Sequence, residues 1–278
     1  MKQRTITAAV FVAVMLIGIF GNLSTFLLLF GIITIVSAWE LMGLLFGPEA
    51  DHLLLRKITG SVLAGAFYSI FCYWALEKIH TGAGMPTMDP MVVITYLALP
   101  FLALLGIELL LASRQPFPNI GNYLLAVFYV ALPFVLLVNL AIDSGHYMPL
   151  RVLGLMLLNW SNDTMAYLIG SQIGKRPFFS RISPKKTWEG TLGGIVGVFI
   201  VSWLLSLLIT DFSLAEWLAL GAVAAIMGTA GDLVESMLKR SVNIKDSGNI
   251  MPGHGGFLDR FDSLIYFLPF AWMVLKMF

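Results

Sequence analysis

The sequence predicts an all-α integral membrane protein with about nine transmembrane helices and a cytoplasmic N-terminus. Hydrophobic residues make up 58% of the 278 residues and charged residues only 12%, whereas an average soluble domain carries about 25% charged residues. The mean hydropathy is +0.87. Apolar runs of about 18 to 25 residues are each long enough to cross the hydrocarbon core of a bilayer as a helix. The alternating pattern of an outer-membrane barrel is absent, which leaves helices as the spanning elements.

Short polar loops separate nine apolar runs. The predicted spans cover about residues 5–21, 23–46, 57–77, 91–112, 121–142, 149–171, 190–209, 215–235 and 261–277. Lys2 and Arg4 before the first run resemble the start of a signal peptide, but no small-residue cleavage site follows and a second run begins at once. We therefore predict that the first run is a transmembrane helix of a single polytopic domain, residues 1–278.

Lysine and arginine residues are divided unequally between the two sides that nine spans create. One side carries only Lys78, Arg151 and Lys276 of the 17 Lys and Arg residues, and the side with the N-terminus carries all the others. The positive-inside rule places the richer side in the cytoplasm. We expect a multi-pass protein of the cell membrane whose active site faces the cytoplasm.

The first five spans, within residues 1–145, contain few candidate functional residues and are interpreted mainly as a scaffold. Glu108 is interpreted as a charge at a helix end whose side chain reaches towards the membrane surface. Glu40 leaves two interpretations equally open, namely such a surface-reaching charge or a group that is paired or faces a cavity. Residues 146–278 are expected to form the catalytic helices and the cytoplasmic loops.

The sixth span carries a polar face. At about 100° per residue, Asn159, Asn162 and Asp163 fall within a third of the helix circumference. One interpretation is a buried hydrogen-bond clamp between helices. The other is a functional cavity, which an aspartate beside two asparagines favours.

The loop after the sixth span joins two lysines to a predicted helix start, for which Ser183 or Thr187 is the cap. Cations near a helix N-terminus attract phosphate, and the alternative is an ordinary positively charged cytoplasmic loop. The seventh span begins with four glycines at helical spacing, which is typical of close helix packing and leaves room for a homodimer contact.

The polar segment between the last two spans, residues 236–262, is where the chemistry is expected. Six carboxylates are predicted to converge at its membrane face: Asp163, Asp232, Glu235, Asp246, Asp259 and Asp262. Such hard oxygen ligands suit Mg²⁺, which bridges protein carboxylates and substrate phosphates. One Cys and four scattered His do not form a zinc site. For Asp259 and Asp262, helix capping at the start of the ninth span is the alternative.

Cations and glycines accompany these carboxylates. The cations are Lys185, Lys186, Lys239, Arg240, Lys245 and Arg260, and the glycines surround His254. Glycine lets the backbone approach a phosphate closely, and arginine can bind two of its oxygens. This combination at a membrane surface indicates phosphoryl or nucleotidyl transfer to a lipid. A net charge of +1 without a basic stripe excludes a nucleic acid partner.

Three motifs together resemble the phosphatidate cytidylyltransferases. They are Ser236-x2-Lys239-Arg240-x4-Lys245-Asp246-x5-Pro252-Gly253-His254-Gly255-Gly256-x2-Asp259-Arg260-x-Asp262, Asp163-x2-Ala-Tyr167-x2-Gly170 and Ser183-Pro-Lys-Lys-Thr-Trp-Glu-Gly190. The resemblance implies that CTP reacts with phosphatidic acid of the lipid bilayer to give CDP-diacylglycerol and pyrophosphate for phospholipid synthesis, with Mg²⁺ required.

Site residues follow from the motifs together with the chemistry of the side chains. Mg²⁺ is expected at Asp246, Asp232, Asp163 and Glu235, with room for a second cation. The expected catalytic residues are Asp246, Lys239, Arg240, Lys245, Arg260, Asp259, Asp262 and His254. The expected phosphate-binding residues are Ser183, Lys185, Lys186, Thr187, Ser236, Gly255 and Gly256.

Two other functions remain open from the residues alone. A CTP-dependent kinase of a polyprenol or similar lipid alcohol would also need Mg²⁺ and nucleotide near the membrane, and analysis of the lipid product distinguishes it. An ion-coupled transporter would also use polar helices, but its site is typically near the midplane between internal repeats, and the sequence contains no such repeat.

Overall fold

A computed structural model describes residues 2–81, 90–251, 253 and 255–278. Nine helices follow one another along these residues and are labelled in chain order: α1 Lys2–Gly21, α2 Leu23–Phe46, α3 Leu53–Thr81, α4 Pro90–Leu110, α5 Pro116–Leu140, α6 Pro149–Ile173, α7 Trp188–Leu208, α8 Leu214–Ser241 and α9 Asp262–Leu275. They coincide with the nine predicted spans, with ends that differ by a few residues.

The helices have the composition of a membrane protein. Within the described residues, five of them are long and apolar enough to cross a bilayer, namely α2, α3, α5, α7 and α8. Shorter apolar stretches occur at Thr5–Gly21, Ala98–Leu110 and Asp262–Leu275. The predicted helical class is therefore confirmed, and the apolar helices indicate a multi-pass membrane protein.

Helices α5 and α8 each contain a wider turn. In α5, the π-helical segment Ala126–Ala131 lies between Pro116–Leu125 and Leu132–Leu140. Pro133 lacks an N–H group and cannot bond the carbonyl four residues earlier, which is a physical reason for irregular hydrogen bonding at this point. In α8, the π-helical segment is Ala224–Gly228, immediately before the part of the helix that carries the site.

Two short hairpins interrupt the helical pattern and were not predicted. Strand β1, Ile142–Asp143, pairs antiparallel with β2, His146–Tyr147. Strand β3, Pro177–Phe179, pairs antiparallel with β4, Ser183–Thr187. The second hairpin fixes the lysine-bearing loop in front of α7.

Aromatic side chains connect the N-terminal helices to the segment before α9. The ring of Phe134 on α5 lies 5.7 Å from that of Phe30 on α2 and 5.9 Å from that of Phe261. All three side chains are buried. Because Phe261 immediately precedes Asp262, this contact holds the start of α9 against the N-terminal half.

Helix α7 packs closely on α6 through its glycine face. A Cβ atom at Gly194 would lie 2.7 Å from Asn162 Oδ1, and one at Gly197 would lie 2.8 Å from Met165 Cβ. The glycine face that left room for a homodimer contact is therefore occupied within the chain.

The interpretation of Glu108 as a surface-reaching charge is wrong. Its side chain is 0% exposed, and its Oε1 accepts a 2.9 Å hydrogen bond from the guanidinium of Arg56 on α3. Asn119 and Tyr123 on α5 also donate to this carboxylate. A helix-end position in the sequence did not reveal these partners, because all three come from other helices.

Replacing Arg56 with alanine is expected to destabilise the fold by about 3–5 kcal/mol, because the buried carboxylate of Glu108 would lose its charged partner. Thermal unfolding in detergent measures this effect. Arg114→Ala is the control, since Arg114 is exposed and its removal is expected to cost less than about 0.5 kcal/mol. Equal melting temperatures for the two variants would contradict the prediction.

Candidate active site

Lys239, near the end of α8, lies between two carboxylates. Its Nζ is 3.0 Å from Glu235 Oε2, one helical turn earlier, and 2.6 Å from Asp259 Oδ1 in the turn before α9. The side chain of Glu235 is 0% exposed and that of Asp259 is 7% exposed. This arrangement makes Lys239 the charged link between α8 and the polar segment 236–262.

The carboxylate of Asp259 organises the loop around it. Its Oδ2 accepts hydrogen bonds from the backbone N–H groups of Gly256 and Ser247, at 2.7 and 3.1 Å. Burial by itself would raise the pKa of Asp259, but the bonds from Lys239 and the Gly256 N–H hold the pKa below its ordinary value of 3.8. Asp259 is therefore ionised at neutral pH.

The lowered pKa of Asp259 predicts a specific pH dependence of stability. A carboxyl group whose pKa is lowered by folding contributes stability above its unfolded pKa, and that contribution is lost as the pH falls through the folded value. The difference in melting temperature between the wild type and Asp259→Asn is therefore expected to stay constant from about pH 7 to about pH 5. Below 3.8 it is expected to shrink. A difference that already disappears near pH 6 would contradict this assignment.

A second ion pair joins the hairpin to α8. Lys186 Nζ on β4 lies 2.5 Å from Asp232 Oδ2, and Ser236 Oγ donates a 3.2 Å hydrogen bond to Asp232 Oδ1. The Lys186 and Asp232 side chains are only 24% and 32% exposed. The structure thus brings together one residue of the predicted phosphate loop and one predicted metal ligand.

Asp163 on α6 completes a group of acids around this pair. Its exposed side chain lies within electrostatic reach of Asp262, Asp232 and Lys186. The carboxyl group of Asp262 in turn interacts with those of Asp232 and Glu235. Asp163 on α6, Asp232 and Glu235 on α8 and Asp262 on α9 thus form one group of interacting acids, and the place where these helices meet is called the cleft below.

The two asparagines of α6 differ from Asp163 in their role. Asn162 is buried and donates a 3.2 Å hydrogen bond to Thr229 Oγ1 on α8. Asn159 is buried against Gly228, where a Cβ atom would lie 2.8 Å from Asn159 Oδ1. The interpretation as a contact between helices therefore holds for the two asparagines, which lie against α8. For Asp163, which interacts with the other acids, the functional cavity stays a prediction.

Asp246 lies near Asp259 at the glycine turn. A Cβ atom at Gly255 would lie 3.4 Å from Asp246 Oδ1 and 2.9 Å from Asp259 Oδ2, and Gly255 has a φ of +84°. Both the tight space and the positive φ require glycine here. Within the described part of the chain, no three His, Cys, Asp or Glu side chains are arranged to enclose a metal ion. The metal ligands named from the sequence remain predictions.

The remaining predicted cations are exposed or make a hydrogen bond within their own segment. Lys185, Lys245 and Arg260 are exposed. Arg240 donates to the carbonyl of Ile244 at 3.2 Å, which closes the end of α8. Their predicted binding of phosphate stays a prediction.

Of the two proposed caps, Thr187 is the residue that caps α7, because its Oγ1 accepts from the N–H of Gly190. Ser183 instead begins strand β4. Gly256 is buried beside Ser247 and Glu40. His254, together with Pro252, lies outside the described residues.

Glu40 is the site-related residue that sequence reasoning did not assign. It is 4% exposed on α2, yet its Oε2 accepts hydrogen bonds from Ser247 Oγ and the N–H of Leu258, at 3.0 and 2.8 Å. The only signal in the sequence was a glutamate within an apolar run, a position that usually implies a partner. The partner could not be read from the sequence.

Comparison with known proteins agrees with the chemistry of this cleft. Residues 2–278 match the model of a family described as the cytidylyltransferase family. The chain belongs to this family. The motif resemblance is therefore confirmed, and this cytidylyltransferase family member is a nucleotidyltransferase.

Several curated bacterial relatives of this family member are named phosphatidate cytidylyltransferase. That of Staphylococcus aureus (strain COL) is 31% identical over 271 residues, which are 97% of this chain and 96% of that protein. That of Bacillus subtilis (strain 168) is 44% identical over 120 residues, 43% of this chain and 45% of that protein. The Staphylococcus haemolyticus (strain JCSC1435) protein is 46% identical over 129 residues, 46% of this chain and 48% of that protein. The longest of these alignments covers nearly the whole length of both proteins.

Proposed function

We propose that the protein transfers the cytidylyl group of CTP to phosphatidic acid, giving CDP-diacylglycerol and pyrophosphate for phospholipid synthesis. The observation that carries this proposal is the cleft in which Asp163, Asp232, Glu235 and Asp262 face Lys186 and Lys239 in a helical membrane protein. The family and the names of the relatives support the same reaction.

The reaction requires alignment and charge compensation more than a strong base. A phosphate oxygen of phosphatidic acid forms a bond to the α-phosphorus of CTP, and the bond between that phosphorus and the bridging oxygen of the β-phosphate breaks, so that pyrophosphate leaves. The attacking oxygen is already anionic. The main tasks are to hold two polyanions in line and to stabilise the leaving group.

The cations around the cleft are placed to hold these polyanions. Lys186 and Lys239 pair with acids of the cleft, and exposed Lys185, Lys245 and Arg260 lie on β4 and in the segment 236–262. Each of them would attract a phosphate group of CTP or of the lipid. The guanidinium of an arginine can donate hydrogen bonds to two oxygens of one phosphate group, and Arg260 is suited to this role.

The donor set of the cleft fits Mg²⁺. Four carboxyl groups of Asp163, Asp232, Glu235 and Asp262 face only two ammonium groups, and such crowded like charges favour an added cation. Mg²⁺ uses one or two protein carboxylates together with water and substrate phosphates, so a closed protein cage is not required. When bound, Mg²⁺ neutralises phosphate oxygens and stabilises the leaving group. Asp246, in the loop between α8 and α9, is a further candidate ligand. A second cation would be bound by the same group of carboxylates.

We also propose that all nine helices cross the cell membrane, with the N-terminus and the active site on the cytoplasmic side. The distribution of lysine and arginine supports this orientation. Two contacts support the placement of these segments on one common side of the membrane: Lys186 on β4 meets Asp232 on α8, and Arg56 at the start of α3 meets Ser113 after α4. A homodimer would use the outer face of α7, where Val196, Ile200 and Trp203 are exposed.

The test is an assay of the purified protein in detergent with radiolabelled CTP and phosphatidic acid, with and without Mg²⁺. The expected result is Mg²⁺-dependent transfer of cytidine to the lipid together with release of pyrophosphate. Transfer of phosphate alone to a lipid alcohol would identify a lipid kinase. Ion flux in liposomes without CTP binding would identify a transporter, and either result would overturn the proposal.

A further inference from the structure

Glu40 connects the N-terminal half of the chain to two separate points of the polar segment 236–262, which contains the loop between α8 and α9. One oxygen of its carboxylate, Oε2, accepts both the hydroxyl hydrogen of Ser247 and the backbone N–H of Leu258. These partners are 207 and 218 residues away in the sequence. A single side chain on α2 therefore holds two points of the segment that lies between α8 and α9.

The two partners of Glu40 are direct neighbours of the site carboxylates. Ser247 follows Asp246, and Leu258 precedes Asp259. The N–H of Ser247 also donates to Asp259 Oδ2 at 3.1 Å. The hydrogen bonds to Glu40 therefore fix the positions of Asp246 and Asp259 relative to each other, although Glu40 belongs to α2 and not to the loop.

Two glycines leave the space that the Glu40 carboxylate occupies. A Cβ atom at Gly256 would lie 2.7 Å from Glu40 Oε2, and one at Gly248 would collide with Glu40 Oε1. Ser247 and Leu258 are themselves buried. The loop is thus shaped closely around this one side chain.

We infer that Glu40 is a positioning residue of the active site, which acts by accepting the hydrogen bonds of Ser247 and Leu258 and so presents Asp246 and Asp259 to the substrates. The required property is an acceptor oxygen at the position of Oε2. The other oxygen, Oε1, has no hydrogen-bond partner among the described residues, so its replacement by the NH2 group of glutamine breaks no hydrogen bond. The kinetic part of this inference rests on the proposed function.

The kinetics of three variants distinguish a positioning role of the Glu40 acceptor oxygen from a role of the Glu40 negative charge. Glu40→Ala is expected to lower kcat about 10²-fold, the effect typical of misplaced catalytic groups, with a KM for CTP that changes less than about threefold. Glu40→Gln is expected to stay within about fivefold of the wild type, because its amide oxygen restores both bonds. Ser37→Ala is the matched control, since Ser37 is also buried on α2 but has no hydrogen-bond partner among the described residues. Its kcat is expected to equal that of the wild type.

Two kinetic outcomes would overturn the inference. One is a wild-type kcat in Glu40→Ala, and the other is an equal loss in Glu40→Gln and Glu40→Ala. If Glu40→Ala does not fold, Ser247→Ala decides, because it removes one of the two bonds and leaves Glu40 in place. We expect it to lower kcat about three- to tenfold.

Hydrogen exchange tests the same contact without substrate. In Glu40→Ala the N–H of Leu258 loses its acceptor, and its exchange is expected to become about tenfold faster or more. Glu40→Gln and Ser37→Ala are expected to exchange as the wild type does. Unchanged exchange in Glu40→Ala would overturn the inference, whether or not the wild type makes CDP-diacylglycerol. Absence of that product from the wild type would overturn only the proposed function.

Discussion

Lys239→Met is expected to destabilise the protein by about 3–5 kcal/mol and to lower turnover at least about 10²-fold. The variant keeps most of the length of the side chain but removes the ammonium group that lies between Glu235 and Asp259. Both acids are buried, so each would lose its charged partner where water cannot replace it. Thermal unfolding in detergent measures the first effect, and CTP-dependent turnover of phosphatidic acid measures the second.

The control for this variant is Lys276→Met, which removes an exposed lysine after α9. Its melting temperature and turnover are expected to equal those of the wild type, because an exposed lysine contributes little to stability. A wild-type melting temperature for Lys239→Met would contradict the assignment of Lys239 as the charged partner that stabilises both buried acids.

Asp232→Asn is expected to lower turnover by about 10²–10³-fold while the fold is retained. Asp232 is the acid that meets Lys186 from the hairpin, Ser236 on its own helix and, through the cleft, Asp163 and Asp262. Its side chain is 32% exposed, so the loss of the ion pair is expected to cost no more than about 1 kcal/mol of stability. Activity is expected to remain low at any Mg²⁺ concentration, since the variant lacks a proposed ligand. A Mg²⁺ titration of turnover measures this.

Asp211→Asn is the matched control. Asp211 is also an ion-paired acid, 28% exposed and 3.5 Å from Arg151 Nε, but it follows the far end of α7, whereas Lys186 precedes its start. Wild-type turnover is expected. If Asp232→Asn kept more than roughly a tenth of wild-type turnover, the assignment of Asp232 to the catalytic cleft would be wrong.

The order and position of the nine helices could be predicted because the bilayer sets both their length and their composition. The hairpins were missed, since a helix-only reading of a membrane protein assigns every short polar segment to a loop. Strand β4 shows this most clearly: its residues Ser183–Thr187 were interpreted only as a loop and a helix cap. In the structure the segment pairs with Pro177–Phe179, and only Thr187 caps α7.

Local spacing predicted part of the site. Glu235 and Lys239 lie four residues apart on one helix and do form an ion pair, as helix geometry requires. Asp259, the second partner of Lys239, lies 20 residues away across an irregular loop, where no periodicity relates one residue to another. The same limitation applies to Lys186 and Asp232, which come from different elements.

The amino-acid sequence alone was enough to predict the class of protein, the succession of helices, the face of each helix on which a polar side chain lies, and the family to which the motifs belong. These properties follow from the composition of single segments and from the helical repeat. Other contacts became visible in the folded chain alone: Arg56 neutralises Glu108, the asparagines of α6 are buried against α7 and α8 while Asp163 faces the other acids, and Glu40 holds the segment between α8 and α9. Each of these contacts joins segments far apart in the chain, and which helices become neighbours depends on how all of their side chains pack together.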